Sequence, residues 1–86
     1  MDAAVRIYTT RTCPYCFAAK QLFDDKGVAY EEIDVTGNHE KRAWLRRETG
    51  RSTVPQIFIG DTHVGGCDDL IALDQRGGLM PLLNAS

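Results

Sequence analysis

The residues of this chain with types and spacing suited to chemistry are two cysteines, Cys13 and Cys16, within Thr12-Cys13-Pro14-Tyr15-Cys16. Two thiols so spaced can pass between dithiol and disulfide, with the thiolate as the attacking species. Proline suits the first position of a helix, where its missing N–H would have no partner and its fixed φ is already helical. Pro14 therefore puts Cys13 at or beside an N-cap, facing unpaired amides and a positive dipole end that favour thiolate over thiol. Cys16 falls one turn deeper, within disulfide reach and less open to solvent. This asymmetry separates the roles. Cys13 attacks an incoming disulfide, and Cys16 resolves the mixed disulfide by attacking the Cys13 sulfur.

A Cys-x-x-Cys pair is also half of a zinc site, which needs two further Cys or His ligands at short spacing. Cys67, His39 and His63 stand singly, so the sequence predicts no metal. An inert structural disulfide suits a secreted, cysteine-rich domain better than a chain with three cysteines.

The pair needs a scaffold, and the flanking patterns supply one. Ala4 to Tyr8 alternates as a buried strand, and Phe17, Ala18, Ala19, Leu22 and Phe23 recur at helical spacing and read as core. Lys26-Gly27 closes that helix, and Val28 to Val35 alternates well enough for a second strand. Strand, helix and strand make a right-handed βαβ unit with parallel strands, so the cysteines sit at the carboxyl edge of the first strand. Asn38 is a fair N-cap for a polar helix from His39 to Thr49, stopped by Gly50. Its Lys41, Arg42, Arg46 and Arg47, with Arg51 beyond it, read as a solvated face balanced by Glu40 and Glu48, Arg42 excepted.

Ser52 to Ile59 is an apolar strand entered through Pro55, which stands before it or at its edge and leaves a cis Val54-Pro55 bond open. Gly60-Asp61 has the length and composition of a hairpin turn into Thr62-His63-Val64, where His63 reads as a surface residue. In Gly65-Gly66-Cys67-Asp68-Asp69 the glycines let backbone approach a ligand, and the acids suit the first turn of a helix, as caps or as part of a binding site. Gly77-Gly78 ends that helix, and Leu79, Leu82 and Leu83 dock a last short turn on the core.

Length and charge narrow the classes. Eighty-six residues predict a single domain over 1–86 with one core. The start Met1-Asp2-Ala3-Ala4 shows neither a basic n-region nor an apolar h-region, and with few cysteines this points to a reducing cytoplasm. No apolar run is long enough for a membrane span, and a net charge of −2 disfavours a general nucleic-acid or membrane-surface binder.

Taken in order, Cys13-Pro14-Tyr15-Cys16, Thr53-Val54-Pro55 and Gly65-Gly66-Cys67-Asp68-Asp69 resemble the glutaredoxin family. The likeness runs from Ile7-Tyr8 to Leu82 and is strongest to small bacterial dithiol glutaredoxins. It implies a thioredoxin-like α/β fold, a four-stranded mixed sheet flanked by helices, with glutathione as co-substrate and no metal or nucleotide. The resemblance also implies a redox-active disulfide between Cys13, which carries the glutathionyl group, and Cys16. Thr53, Val54 and Pro55 would meet the cysteinyl part of glutathione, chiefly through the Val54 backbone before a cis Pro55. Gly66, Cys67 and Asp68 would hold the γ-glutamyl end, Tyr15 would flank the groove, and Arg42 would contact the glycyl carboxylate. Glutathione's two carboxylates, ammonium and peptide backbone suit a helix end, a cation, an acid and an open backbone edge.

One departure stands out. The family usually has a lysine three residues before the first active-site cysteine, and here that place is Thr10; Arg11 is read as its substitute. The expected activity is glutathione-dependent reduction of disulfide-containing or glutathionylated proteins by a monomer. Alternatives are an electron donor recycled by thioredoxin reductase and a module binding a glutathione-ligated iron–sulfur cluster.

Overall fold

The computed structural model describes residues 3–84, so Met1 and Asp2 of the opening segment and the last two positions of the 1–86 span lie outside the described residues. Strands β1 (Val5–Thr9), β2 (Glu31–Asp34), β3 (Gln56–Ile59) and β4 (Thr62–Gly65) form one mixed sheet in the order β2-β1-β3-β4. Helices α1 (Pro14–Asp25), α2 (His39–Thr49), α3 (Cys67–Gln75) and α4 (Leu79–Asn84) complete the fold. β2 lies parallel to β1 through the α1 crossover, and β3 lies antiparallel to both β1 and β4. The predicted four-stranded sheet and its strand directions are thus found.

Alternation along the two central strands divides the interior between the two faces. Val5 and Ile7 of β1 and Ile57 and Ile59 of β3 pack with Ala19 and Phe23 of α1, Leu70 of α3, and Leu79 and Leu83 of α4. Tyr8 and Phe58 point the other way and meet Leu45 of α2 and Val35, with Trp44 packed at the margin. Tyr8 and Phe58 meet edge-on with centroids 5.7 Å apart, a favoured arrangement for aromatic pairs.

The ends of the elements follow local chemistry. Asn38 caps α2 by accepting a 3.0 Å hydrogen bond from the Lys41 amide, and Gly50 ends it at φ 72°. Several boundaries differ from the sequence reading. β2 is confined to Glu31–Asp34, the residues that pair in register with Arg6 to Thr9 of β1. β3 begins at Gln56, after the proline that cannot donate to a ladder.

Phe17 and Ala18, expected in the core, are exposed, because α1 turns only its Cys16, Ala19 and Phe23 side fully inward. His63, read as a surface residue, is half-buried: its imidazole lies 5.1 Å from the Phe58 ring and its Nε2 is 2.7 Å from Gln56 Oε1.

Candidate active site

Cys13 is the N-cap of α1, extended at φ −108° and ψ 103°, with Pro14 opening the helix as the sequence predicts. Its Sγ accepts a 3.2 Å hydrogen bond from the Cys16 amide and lies 3.5 Å from the Val54 carbonyl oxygen, to which the thiol donates. Cys16 is more deeply buried, 1% exposed against 6% for Cys13. Burial pushes the Cys16 thiol up to about 12, and its hydrogen bond with Cys13 works in the same direction. The inner thiol therefore holds its proton at neutral pH.

Val54 and Pro55, joined by a cis peptide bond, carry the backbone facing Cys13. Beside them opens a cleft of about 290 Å³, lined by Tyr15, Arg51, Thr53, Val54, Pro55, Gly66, Cys67, Asp68 and Asp69. Seven of the sequence-predicted site residues thus meet on one surface: Tyr15, Thr53, Val54, Pro55, Gly66, Cys67 and Asp68. Cys13 adjoins that surface through Val54.

The far wall is the start of α3. Gly65 takes φ +117°, a conformation that favours glycine, and a Cβ there would lie 2.8 Å from Asp69 Cγ. Gly66, the N-cap, donates its amide to Asp69 Oδ2 at 2.9 Å, and Arg51 Nη1 donates to the same oxygen at 2.7 Å. The Arg51 guanidinium and then the Gly66 amide hold the Asp69 carboxyl below its ordinary value. Asp69 is thus the cap that composition left undecided between two acids. Cys67 is buried at 5% exposure because it begins the buried side of α3. Burial pushes its thiol up, with Asp68 and Cys13 adding to the effect.

Hydrogen bonds from Gln56 steady the loop that carries Val54. Gln56 is fully buried, and its Nε2 donates to the Thr53 carbonyl at 3.0 Å. That donation turns Oε1 toward His63 Nε2, so the imidazole nitrogen is the donor in their 2.7 Å contact. Burial, and then the charge of Arg51, hold His63 below the usual imidazole range, consistent with a neutral ring protonated at Nε2.

The structure does not bring Arg11 or Arg42 into the cleft. Arg11 Nε lies 3.9 Å from Asp34 Oδ2, and its amide donates to Thr36 Oγ1, which ties it to the end of β2. Arg42 Nη2 donates to the Ser52 carbonyl at 3.4 Å and borders separate hollows beside α2. Arg51, read as one of several solvated charges, is the cation that lines the cleft. Its position just before Ser52-Thr53-Val54-Pro55 is the sequence signal that could have singled it out. Among the described residues no three His, Cys, Asp or Glu side chains stand close enough together to hold a metal ion.

A four-stranded mixed sheet, a cysteine pair opening α1 and a cis-proline loop before β3 define a protein of the thioredoxin-like class. Residues 5–64 match the glutaredoxin family model, and the chain belongs to the glutaredoxin family, whose members are generally thiol–disulfide oxidoreductases. Glutaredoxin 3 of Escherichia coli (strain K12) is 58% identical over 81 residues, which cover 94% of this chain and 98% of that protein. A glutaredoxin of Pseudomonas aeruginosa is 59% identical over 81 residues, covering 94% of this chain and 96% of the relative. Among solved structures, a buckwheat glutaredoxin–glutathione complex superposes with a TM-score of 0.87 at 34% identity, covering 94% of this chain and 76% of that one. No described helix is long and apolar enough to cross a membrane.

Proposed function

We propose that this chain is a single-domain, glutathione-dependent thiol–disulfide oxidoreductase acting on disulfide-containing and glutathionylated proteins, as a monomer in a reducing cytoplasm. The observation that carries the reading is the position of Cys13 Sγ, 3.5 Å from the Val54 carbonyl at the head of a cleft whose far wall is the amino end of α3. A peptide thiol laid along the Val54 backbone would bring its sulfur to Cys13 and its far end to α3. The buckwheat relative's complex with glutathione supports that choice of ligand.

In this reading the Cys13 thiolate attacks the glutathione sulfur of a mixed disulfide. A new sulfur–sulfur bond forms, the old one breaks, and the electron pair leaves with the protein thiolate, which takes a proton from water. A second glutathione thiolate then releases oxidised glutathione and restores Cys13. The Cys16 amide points at the sulfur that carries charge when Cys13 attacks or leaves. For a protein disulfide, Cys16 resolves the intermediate and the Cys13–Cys16 disulfide is then reduced by glutathione.

Gly66, Cys67 and Asp68 would receive the γ-glutamyl end. Arg51 takes the carboxylate role expected of Arg11 or Arg42, since it is the arginine lining the cleft. Glutathione acts as co-substrate, and the steps use only sulfur and proton chemistry.

The test is glutathione-coupled reduction of a small glutathione mixed disulfide. Activity in wild type and Cys16→Ser, with none in Cys13→Ser, is the expected result; an inactive wild type would refute glutathione dependence. In the same assay Arg51→Ala should raise the glutathione KM about three- to tenfold with kcat nearly kept, the signature of lost ground-state binding. Arg11→Ala should leave KM near the wild-type value.

A further inference from the structure

Phe17 is a large apolar side chain that the core does not use. It is 58% exposed, and its amide donates to the Cys13 carbonyl at 3.3 Å, one turn from the nucleophile. At about 100° per residue, Tyr15 and Phe17 leave α1 roughly 160° apart, on opposite flanks of its buried stripe. Tyr15 lines the cleft, whereas Phe17 does not.

The ring is also held in place. Lys20 Nζ lies 4.6 Å from the Phe17 centroid and is fixed by Glu32 Oε2 at 2.9 Å. A cation resting on a ring face steadies the ring without burying it. An apolar surface is therefore presented beside Cys13, on the side away from the cleft.

The chemistry at Cys13 determines what covers this surface. A protein substrate becomes covalently joined to Cys13 and cannot be contained in a cleft of about 290 Å³. Its chain must spread over the residues around that sulfur. Phe17 offers no hydrogen-bonding atom, so it selects for apolar contact.

We infer that Phe17, steadied by Lys20, is a docking surface for protein disulfide substrates, receiving an aliphatic or aromatic side chain next to the substrate's reactive cysteine. The inference rests on the proposed function, in which Cys13 is the nucleophile and glutathione takes the cleft. Cys13 attacks one sulfur of the substrate disulfide, and the electron pair leaves on the other, which is protonated by water. Cys16 then loses its proton and attacks Cys13 Sγ, freeing the substrate as a dithiol and leaving the Cys13–Cys16 disulfide.

The experiment uses pre-reduced full-length protein in single turnover, without glutathione, against two peptides. Each peptide carries one intramolecular disulfide, flanked by Leu in the first and by Ser in the second. Phe17→Ser should lower the second-order rate constant for the Leu peptide about fivefold, leave the Ser peptide within about twofold, and Phe17→Leu should recover most of the loss. All three proteins should turn over the mixed disulfide of glutathione and 2-mercaptoethanol alike in the coupled assay.

The inference is overturned if wild type does not prefer the Leu peptide, if Phe17→Ser keeps that preference, or if both peptides slow equally. Failure of wild type in the glutathione assay alone would refute the glutathione reading, while the single-turnover comparison would still decide the docking surface.

Discussion

At the scale of single residues, the two active-site thiols differ because one caps a helix and the other lies inside it. Cys16 rises from 9.0 to about 12, chiefly through burial. Such a group supports the fold fully below its unfolded value. Its contribution is lost as pH climbs from near 9 toward 12, because the unfolded chain releases a proton that the folded one keeps. The loss approaches about 1.4 kcal/mol per pH unit. Urea unfolding of reduced wild type should therefore weaken more steeply above pH 9 than that of Cys16→Ala; equal slopes would contradict the burial argument. Cys67 is raised in the same direction. Brief alkylation of the reduced protein at neutral pH should accordingly label Cys13 and spare Cys16 and Cys67, as peptide mass spectrometry would record.

At the scale of elements, the Val54 loop and the start of α3 are held by polar groups within the fold. Gln56 joins His63 of β4 to the Thr53 carbonyl. Gln56→Leu would keep the volume but leave that carbonyl and the imidazole N–H without their partner, at a cost of about 1–3 kcal/mol. Chemical denaturation would measure it, and the glutathione KM should rise with it because Thr53 precedes Val54. Gly65→Ala strikes the other wall. The new methyl would need a left-handed backbone and would meet the Asp69 carboxyl group, whose bonds to Gly66 and Arg51 it would displace. A lower Tm together with a raised KM is expected; a change in KM alone would argue against backbone strain.

At the scale of the whole molecule, the last helix closes one side of the core. Leu79 and Leu83 of α4 are 1% and 4% exposed and pack with Phe23, Leu70 and the central strands. The Ala3 amide also donates to the Leu83 carbonyl at 2.7 Å, joining the two ends of the described chain. Leu79→Ala should cost about 2–5 kcal/mol, a large share of the roughly 5–15 kcal/mol typical of a small domain. Thermal unfolding should show a correspondingly lower midpoint, and an unchanged Tm would mean that α4 does not stabilise the core.

The features legible in the sequence were those governed by neighbours along the chain. Pro14 after Cys13 determined a helix start, Asn38 and Gly50 determined both ends of α2, and Gly60-Asp61 determined a hairpin, because capping and turn geometry depend on a few consecutive residues. The βαβ order determined the parallel pairing of β1 and β2, and with it the edge from which Cys13 projects. Which arginine serves the cleft was decided only by the tertiary structure. Arg11, Arg42 and Arg51 carry the same charge, and only the approach of the α2 end to the start of α3 brings Arg51 to Asp69. Tertiary packing likewise left Phe17 outside while burying Phe23 from the same helix, and drew His63 onto Gln56. Those outcomes depend on surfaces brought together from distant parts of the chain, which hydrophobicity and local periodicity do not encode.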